Sequence, residues 1–312
     1  MLLVYIKVKR SNCNMNLICT VCHTNKTKLF SLPLTSNSKE KSNRFVPTSS
    51  DFGIFYRLVE CENCGVVFSA REPDAEDLHG LYSDAVDSLY TSQLQERRIM
   101  AGRILSSIQD VVSQKGRLLD IGSSYGTFLR LAQENNWQVE GVELNQDACN
   151  FSKETYGFNV FCGDLKDANF LDNSYDVVTA IEVIEHVANP KEFLIEINRI
   201  LKPSGILFLV TPDLKSLSAK LLGMRWWSFR EMHLHYFSKK SLFWLLNHTN
   251  FFPLKNMPYK KTFRLEYVLS QPKVYNKSFY RIMSFLDVLP VFNKVMLHAS
   301  FGDFAIIAQK RV

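Results

Sequence analysis

Between Leu118 and Pro212 short apolar runs take turns with stretches of helical periodicity, and this alternation limits the folds open to the chain more than any other feature. The runs at 118–121, 139–142, 160–161, 175–181 and 206–211 read as strands. Helices are predicted between them at 126–135, 145–156 and 190–201, the last with Pro190 in its first turn, where a missing N–H costs nothing. Strands joined through helices form a parallel sheet, and right-handed crossovers lay the helices on both faces. The expected fold is therefore α/β: a doubly wound, Rossmann-like sheet beginning near residue 90. A chain of 312 residues that is 46% hydrophobic can bury such a core, which excludes a wholly disordered protein.

Polar residues gather where these strands end. Leu118-Leu-Asp-Ile-Gly-Ser-Ser-Tyr-Gly-Thr-Phe-Leu-Arg-Leu131 places a strand, a glycine-bearing turn and a helix in succession. Gly122 and Gly126 let the backbone turn tightly and approach a ligand. Glu143 closes the second strand about twenty residues on, where nucleotide-binding sheets hold a carboxylate against ribose hydroxyls. Asp164 follows the third strand and suits an adenine amino group. The fourth strand, from Tyr175, runs directly into Glu182-Val-Ile-Glu-His186. Carboxyl ends of strands are where open α/β sheets bind ligands.

Taken in order, these segments resemble a class I S-adenosylmethionine (SAM) dependent methyltransferase over roughly residues 90–255 plus the final strand. The resemblance assigns the cofactor to Asp120, Gly122, Ser124, Gly126, Glu143, Asp164 and Glu182. It also covers Leu201-Lys-Pro-Ser-Gly-Ile-Leu-Phe-Leu-Val-Thr-Pro212, similar to the family's fifth strand and its proline-glycine turn. Ser124 departs from the family's Gly-x-Gly-x-Gly pattern at the middle position, which implies an altered cofactor loop. An NAD-binding sheet explains the glycine turn but not the Glu-His motif or the fifth-strand turn.

Four of the seven cysteines form two C-x2-C pairs, Cys19/Cys22 and Cys61/Cys64, separated by thirty-eight residues. Two such knuckles supply the four thiolates of a closed structural zinc site; the competing reading is four unligated cysteines on a hairpin. Arg57-Leu-Val-Glu-Cys-Glu-Asn-Cys-Gly-Val-Val-Phe68 resembles the zinc-ribbon head of bacterial methyltransferases of surface-glycan and nucleotide-sugar pathways. Cys13 falls outside the pattern, while Cys149 and Cys162 read as small core residues. An odd cysteine count without a secretory signal argues against a disulfide framework and for a reducing, cytoplasmic setting.

The third constellation is Glu182-x2-Glu185-His186 together with Trp226, Trp227, His233, His235 and Tyr236 after the fifth strand. It resembles clusters in ubiquinone-pathway O-methyltransferases and small-RNA 2′-O-methyltransferases. His186, with Glu185 and His235, is the expected catalytic group, since a histidine titrating near neutrality can take a hydroxyl proton. The alternative is a divalent ion such as Mg²⁺ on Glu182, Glu185 and His186 with a remote histidine. The adjacent tryptophans either cover the cofactor, stack on a ring-shaped acceptor or pack in the core.

The expected organisation is an N-terminal extension over 1–14, with Met15 a competing start to Met1, a zinc-ribbon-like head over 15–72 and a helical connector over 73–115. The methyltransferase domain then fills 116–312, with inserted amphipathic helices near 277–297. Residues 31–50 read as a polar loop, 73–82 as a small helix and 91–115 as a longer one, and Ser238 as the cap of a helix through Asn247; two more strands are expected near 254–265 and 303–308. Charge is uneven: residues 1–50 and 251–312 are each +7, so the middle carries −8 of the net +6. Basic ends suit RNA or an anionic membrane surface, and a zinc-headed RNA methyltransferase is one alternative. No Asn-Pro-Pro-type motif follows the fourth strand and aromatic interleaving is sparse, so the expected acceptor is a small molecule or glycan rather than nucleic acid. A non-catalytic SAM-binding scaffold is the third reading. No apolar run is long enough to span a bilayer, though peripheral contact with a membrane is compatible with the charge.

Overall fold

The computed structural model describes residues 17–32, 56–70, 93–265 and 295–312. Expectations for Cys13, the start of the chain, the polar loop beyond Leu32, the helix near 73–82 and nearly all of the helices near 277–297 lie outside those residues; of the last, Met296 and Leu297 are described and are extended strand rather than helix.

Among the described residues the first elements are β1 (Thr27–Ser31), β2 (Leu58–Cys61), β3 (Val67–Ser69) and helix α1 (Leu94–Gln109). Helix α1 is shorter than the predicted 91–115, because the β-branched pair Val111-Val112 and Ser113 are poor helix formers. Then come β4 (Arg117–Ile121), α2 (Thr127–Glu134), β5 (Gln138–Glu143), α3 (Gln146–Tyr156), β6 (Val160–Cys162), β7 (Tyr175–Ile181), α4 (Pro190–Ile200) and β8 (Leu201–Pro212). Strand β8 starts five residues before the predicted 206. Its Pro203-Ser204-Gly205 turn is absorbed as an irregularity between two paired stretches, with Ser204 at φ 62°. The remainder is α5 (Leu217–Leu222), β9 (His235–Tyr236), α6 (Lys239–Asn247), β10 (Phe251–Pro258), β11 (Lys261–Arg264), β12 (Met296–Ala299) and β13 (Asp303–Lys310).

Local chemistry fixes these boundaries. The Asn145 side chain accepts the Ala148 N–H at 2.9 Å to start α3, and Gly157 at φ 69° ends it. Asn189 caps α4 ahead of Pro190, and Ser238 and Ser241 cap α6 reciprocally, as predicted for Ser238.

Seven strands form one sheet in the order β10-β13-β8-β7-β4-β5-β6. Strands β4 to β8 run parallel, and β13 enters antiparallel beside β8. The order reverses between β4 and β7, which opens a crevice at their carboxyl ends. Two apolar layers sandwich the sheet: Val178, Ala180, Leu207 and Leu209 face one, Val177, Phe208 and Val210 the other. This is the doubly wound α/β architecture expected from the strand–helix alternation.

The second sheet, β1-β2-β3-β9, takes its fourth strand from the segment after β8. Cys19, Cys61 and Cys64 share a core with Phe237 and Leu242, so the N-terminal head packs directly on the large sheet's flank.

Cys149 and Cys162 require a correction, since they are joined as a disulfide rather than being separate small core residues. Cys162 pairs opposite Glu143 at the end of β6, and α3 brings Cys149 to the same point, with Cα atoms 5.9 Å apart. Among the described residues no helix is long and apolar enough to cross a membrane.

Phe208 lies fully buried in the central strand β8. Phe208→Ala should lower the unfolding free energy by about 3–5 kcal/mol, measured as a shifted urea midpoint at unchanged m.

Candidate active site

The glycine turn after β4 is built from backbone. Gly122 and Ser123 donate N–H bonds to the Val142 carbonyl at 2.8 and 3.1 Å, which holds the turn against β5. Gly122 sits at φ 72°, and a Cβ there would come within 2.6 Å of Val183 Cγ2. Ser124 adopts φ 50°, so it takes the left-handed conformation that glycine would take more cheaply. Its N–H donates to Glu143 Oε2 at 2.7 Å.

Glu143 is buried, and its other oxygen accepts the N–H groups of Leu144 and Asn145 at 2.8 and 2.9 Å. A carboxylate offers about four acceptor positions, so one remains for a hydroxyl. Burial raises the pKa of Glu143, and the three N–H bonds oppose that rise. Asp120 turns inward: Thr179 Oγ1 donates to it at 2.6 Å, and burial raises its pKa to about 7. Asp164 is exposed beyond β6, its Oδ1 accepting the Lys166 N–H at 3.0 Å.

At the end of β7, Glu182 stands at φ 57° and forms an ion pair with Lys261, whose ammonium also lies 3.3 Å from Asp303 Oδ2. Burial opposes the charge on Lys261, yet Asp303 and Glu182 raise its pKa above the ordinary value. Glu185 is buried and accepts the Thr211 hydroxyl at 3.0 Å. Desolvation, aided by the negative charge of Glu182, pushes its pKa up to about 8. His186 is half-buried, and its Nδ1 lies 3.0 Å from the Met232 carbonyl. A carbonyl only accepts, so Nδ1 carries the hydrogen and Nε2 is the basic nitrogen of the neutral ring. Desolvation by the surrounding protein pulls the His186 pKa down to about 4.

The two later histidines part company. The His233 ring meets that of His186 edge-on, with centroids 4.7 Å apart. Donor atoms of Glu185, His186 and His233 all lie within 4.8 Å of one another. His235, expected in this cluster, instead points its Nε2 at Thr20 Oγ1 in the head, 2.7 Å away. The four-ligand Mg²⁺ set with a remote His235 is thus not assembled: His235 is elsewhere and Glu182 is paired with Lys261. Lys261 carries no motif, so sequence reasoning missed it. Trp226 is fully buried with Nε1 donating to Ser218 Oγ at 3.1 Å, which makes it a core residue, while Trp227 is half-buried against Phe301.

The four head cysteines also converge. Cys19 and Cys64 sulfurs are 3.7 Å apart, Cys22 and Cys61 3.5 Å, and all four lie within 4.8 Å of one another. A tetrahedron with Zn–S bonds near 2.3 Å has edges of about 3.8 Å. In each knuckle the fourth residue after the first cysteine, His23 or Gly65, has positive φ, and its N–H donates to that cysteine's carbonyl. The cysteines therefore fit a zinc ion.

A parallel sheet with a glycine turn, a carboxylate after β5 and an acidic cluster after β7 is the arrangement of a class I SAM-dependent methyltransferase. The methyltransferase domain family matches residues 90–255, just over half the chain, and the protein belongs to that family. Over 153 residues it is 28% identical to a glycine/sarcosine/dimethylglycine N-methyltransferase of Actinopolyspora halophila, covering 46% of this chain and 26% of that protein. Over 113 residues it is 25% identical to a ubiquinone biosynthesis O-methyltransferase of Coxiella burnetii, covering 34% and 48%. The match thus spans about a quarter and about half of these relatives' lengths. A SAM-dependent methyltransferase structure from Archaeoglobus fulgidus has TM-score 0.48 and 21% identity, covering 72% of this chain and all of that one.

Proposed function

We propose that the protein transfers the methyl group of SAM to a hydroxyl oxygen of a small molecule or glycan precursor, with His186 as general base. The observation that carries this reading is the His186 Nδ1–H bond to the Met232 carbonyl, which fixes the tautomer with Nε2 basic at the carboxyl end of β7.

SAM, when bound, supplies an electrophilic methyl group on a sulfonium. Gly122, Ser124 and Gly126 form the turn that would lie against it, Glu143 would take a ribose hydroxyl on its remaining acceptor position, and Asp164 would face the adenine. Asp120 acts from behind, holding β4 to β7 through Thr179. His186 would take the acceptor proton, Glu185 and His233 pack beside it, and His235 braces the segment against the head. The relatives include both an N- and an O-methyltransferase by name. Oxygen is favoured because a neutral amine is nucleophilic without a base, whereas a hydroxyl gains most from a positioned proton acceptor. A divalent ion on Glu185, His186 and His233 is the second reading, supported by the closeness of their donor atoms. The Cys19, Cys22, Cys61 and Cys64 site would hold structural zinc, since four thiolates leave no open position.

Glu143→Ala should weaken SAM binding by about 1–3 kcal/mol in calorimetry; a folded variant that binds SAM as well as the unaltered chain would remove Glu143 from the site. His186→Ala should lower kcat roughly a hundredfold with little change in SAM affinity. Because His186 titrates at about 4, its base form prevails at neutral pH, so the acid limb of kcat should fall below about pH 5 rather than near 6.5. Turnover that survives the substitution counts against the base. Elemental analysis of protein purified without chelator should find one zinc per chain, lost in Cys61→Ser; less than about half an equivalent would refute the zinc site.

A further inference from the structure

The acidic cluster after β7 already contains a cation. Lys261 pairs with Glu182 and lies 3.3 Å from Asp303. This ammonium arrives from β11, seventy-nine residues beyond Glu182, and its position is fixed by more than its own side chain. Strand β11 pairs with β12 through Lys261↔Ala299 and Arg264↔Met296. Thr262 accepts a bond from Arg103 at 3.1 Å and contacts His298 Nδ1 at 3.0 Å, while Arg264 pairs with Glu96 of α1. Just before it, the Tyr259 N–H donates to the Asp303 carbonyl at 3.0 Å. The β11–β12 strand pair and the Tyr259–Asp303 bond therefore hold the ammonium at the cluster from two sides.

Glu182 itself is a non-glycine residue in the left-handed region, with its N–H bonded to the Val210 carbonyl at 2.9 Å. That backbone aims the side chain across the strand ends toward Lys261 of β11, and such strain persists only where surrounding contacts hold it. A divalent ion using Glu182 would have to displace the ammonium, and one on Glu185, His186 and His233 would bind within the field of a fixed positive charge. In so poorly screened a setting a fixed like charge weakens the binding of a divalent ion by roughly tenfold or more.

We infer that Lys261 is the resident cation of this cluster, a positioning residue that fixes Glu182 and takes the electrostatic place of a divalent metal. Its importance for methyl transfer rests on the function proposed above, but the cation exchange does not, and binding without turnover tests it.

The experiment titrates Mn²⁺ into the zinc-loaded protein and follows free Mn²⁺ by electron paramagnetic resonance, for the unaltered chain, Lys261→Met, Lys261→Arg and the double variant Lys261→Met/Glu182→Gln. The unaltered chain and Lys261→Arg should show no site tighter than about 1 mM. Lys261→Met should gain one site at least roughly tenfold tighter, as removal of a nearby like charge requires, and the double variant should lose it. A folded Lys261→Met that gains no site overturns the inference. So does a Mn²⁺ site in the unaltered chain at micromolar affinity that His233→Ala abolishes, and this arm decides the matter even if Lys261→Met fails to fold.

Discussion

The carbonyl of Glu185 accepts the N–H groups of both Leu234 and His235, at 2.8 and 3.0 Å. On that pair of bonds depends the arrangement of everything on the acceptor side. They lash the segment after β8 to the end of β7, which sets the Met232 carbonyl against His186 and brings His233 edge-on to the same ring. The Leu234 carbonyl then accepts the Ser69 N–H at 2.8 Å, so the segment continues into the head as β9. One stretch of backbone thus carries the orienting contact of the proposed base and the fourth strand of the cysteine-bearing sheet. Loss of order in the head would reach the base through this stretch without crossing the sheet.

The donor side depends on different bonds. There the turn at Gly122 and the carboxylate of Glu143 are held by N–H groups of the turn itself and of the start of α3. The disulfide between Cys149 and Cys162 closes the far side of Glu143, with Cys149 Sγ 3.4 Å from its carbonyl. The two halves of the site meet along β4 and β7, where Thr179 spans to Asp120, and at the turn, where Gly122 lies against Val183. A substitution on the acceptor side can therefore change turnover while the cofactor surface stays intact.

The large sheet was legible because its strands are buried on both faces. Tyr175–Ile181 is an apolar run at the edges of which the polarity changes abruptly, and the strand has those same bounds. Glu182, Glu185 and His186 were legible for the same reason, being the first polar groups after that run. His233 and His235 were not separable: two residues apart, they would share one face of an extended segment. The turn in which the His233 N–H donates to the Arg230 carbonyl at 3.1 Å breaks the alternation and sends the rings to different neighbours. Lys261 and the Cys149–Cys162 pairing escaped detection because each depends on contact between distant elements, and neither leaves a periodic or spaced signature. The second sheet was half legible, since the cysteine knuckles mark β2 and β3 but nothing local marks the two-residue β9 as their partner.

The charge state of the cluster has a consequence for methyl transfer. The donor is a cation that becomes neutral as its methyl group leaves, so negative charge packed around it stabilises the starting state more than the transition state. Glu182, Glu185 and Asp303 together would place three negative charges at the end of β7 and the start of β13. Two features reduce that field. Burial keeps Glu185 protonated up to about pH 8, and the Lys261 ammonium faces both Glu182 and Asp303. What remains is close to one net negative charge, which would attract a sulfonium bound nearby more weakly than three such charges would. The same muted field bears on His186: desolvation keeps the ring neutral, and a fully ionised cluster would oppose that by favouring the imidazolium.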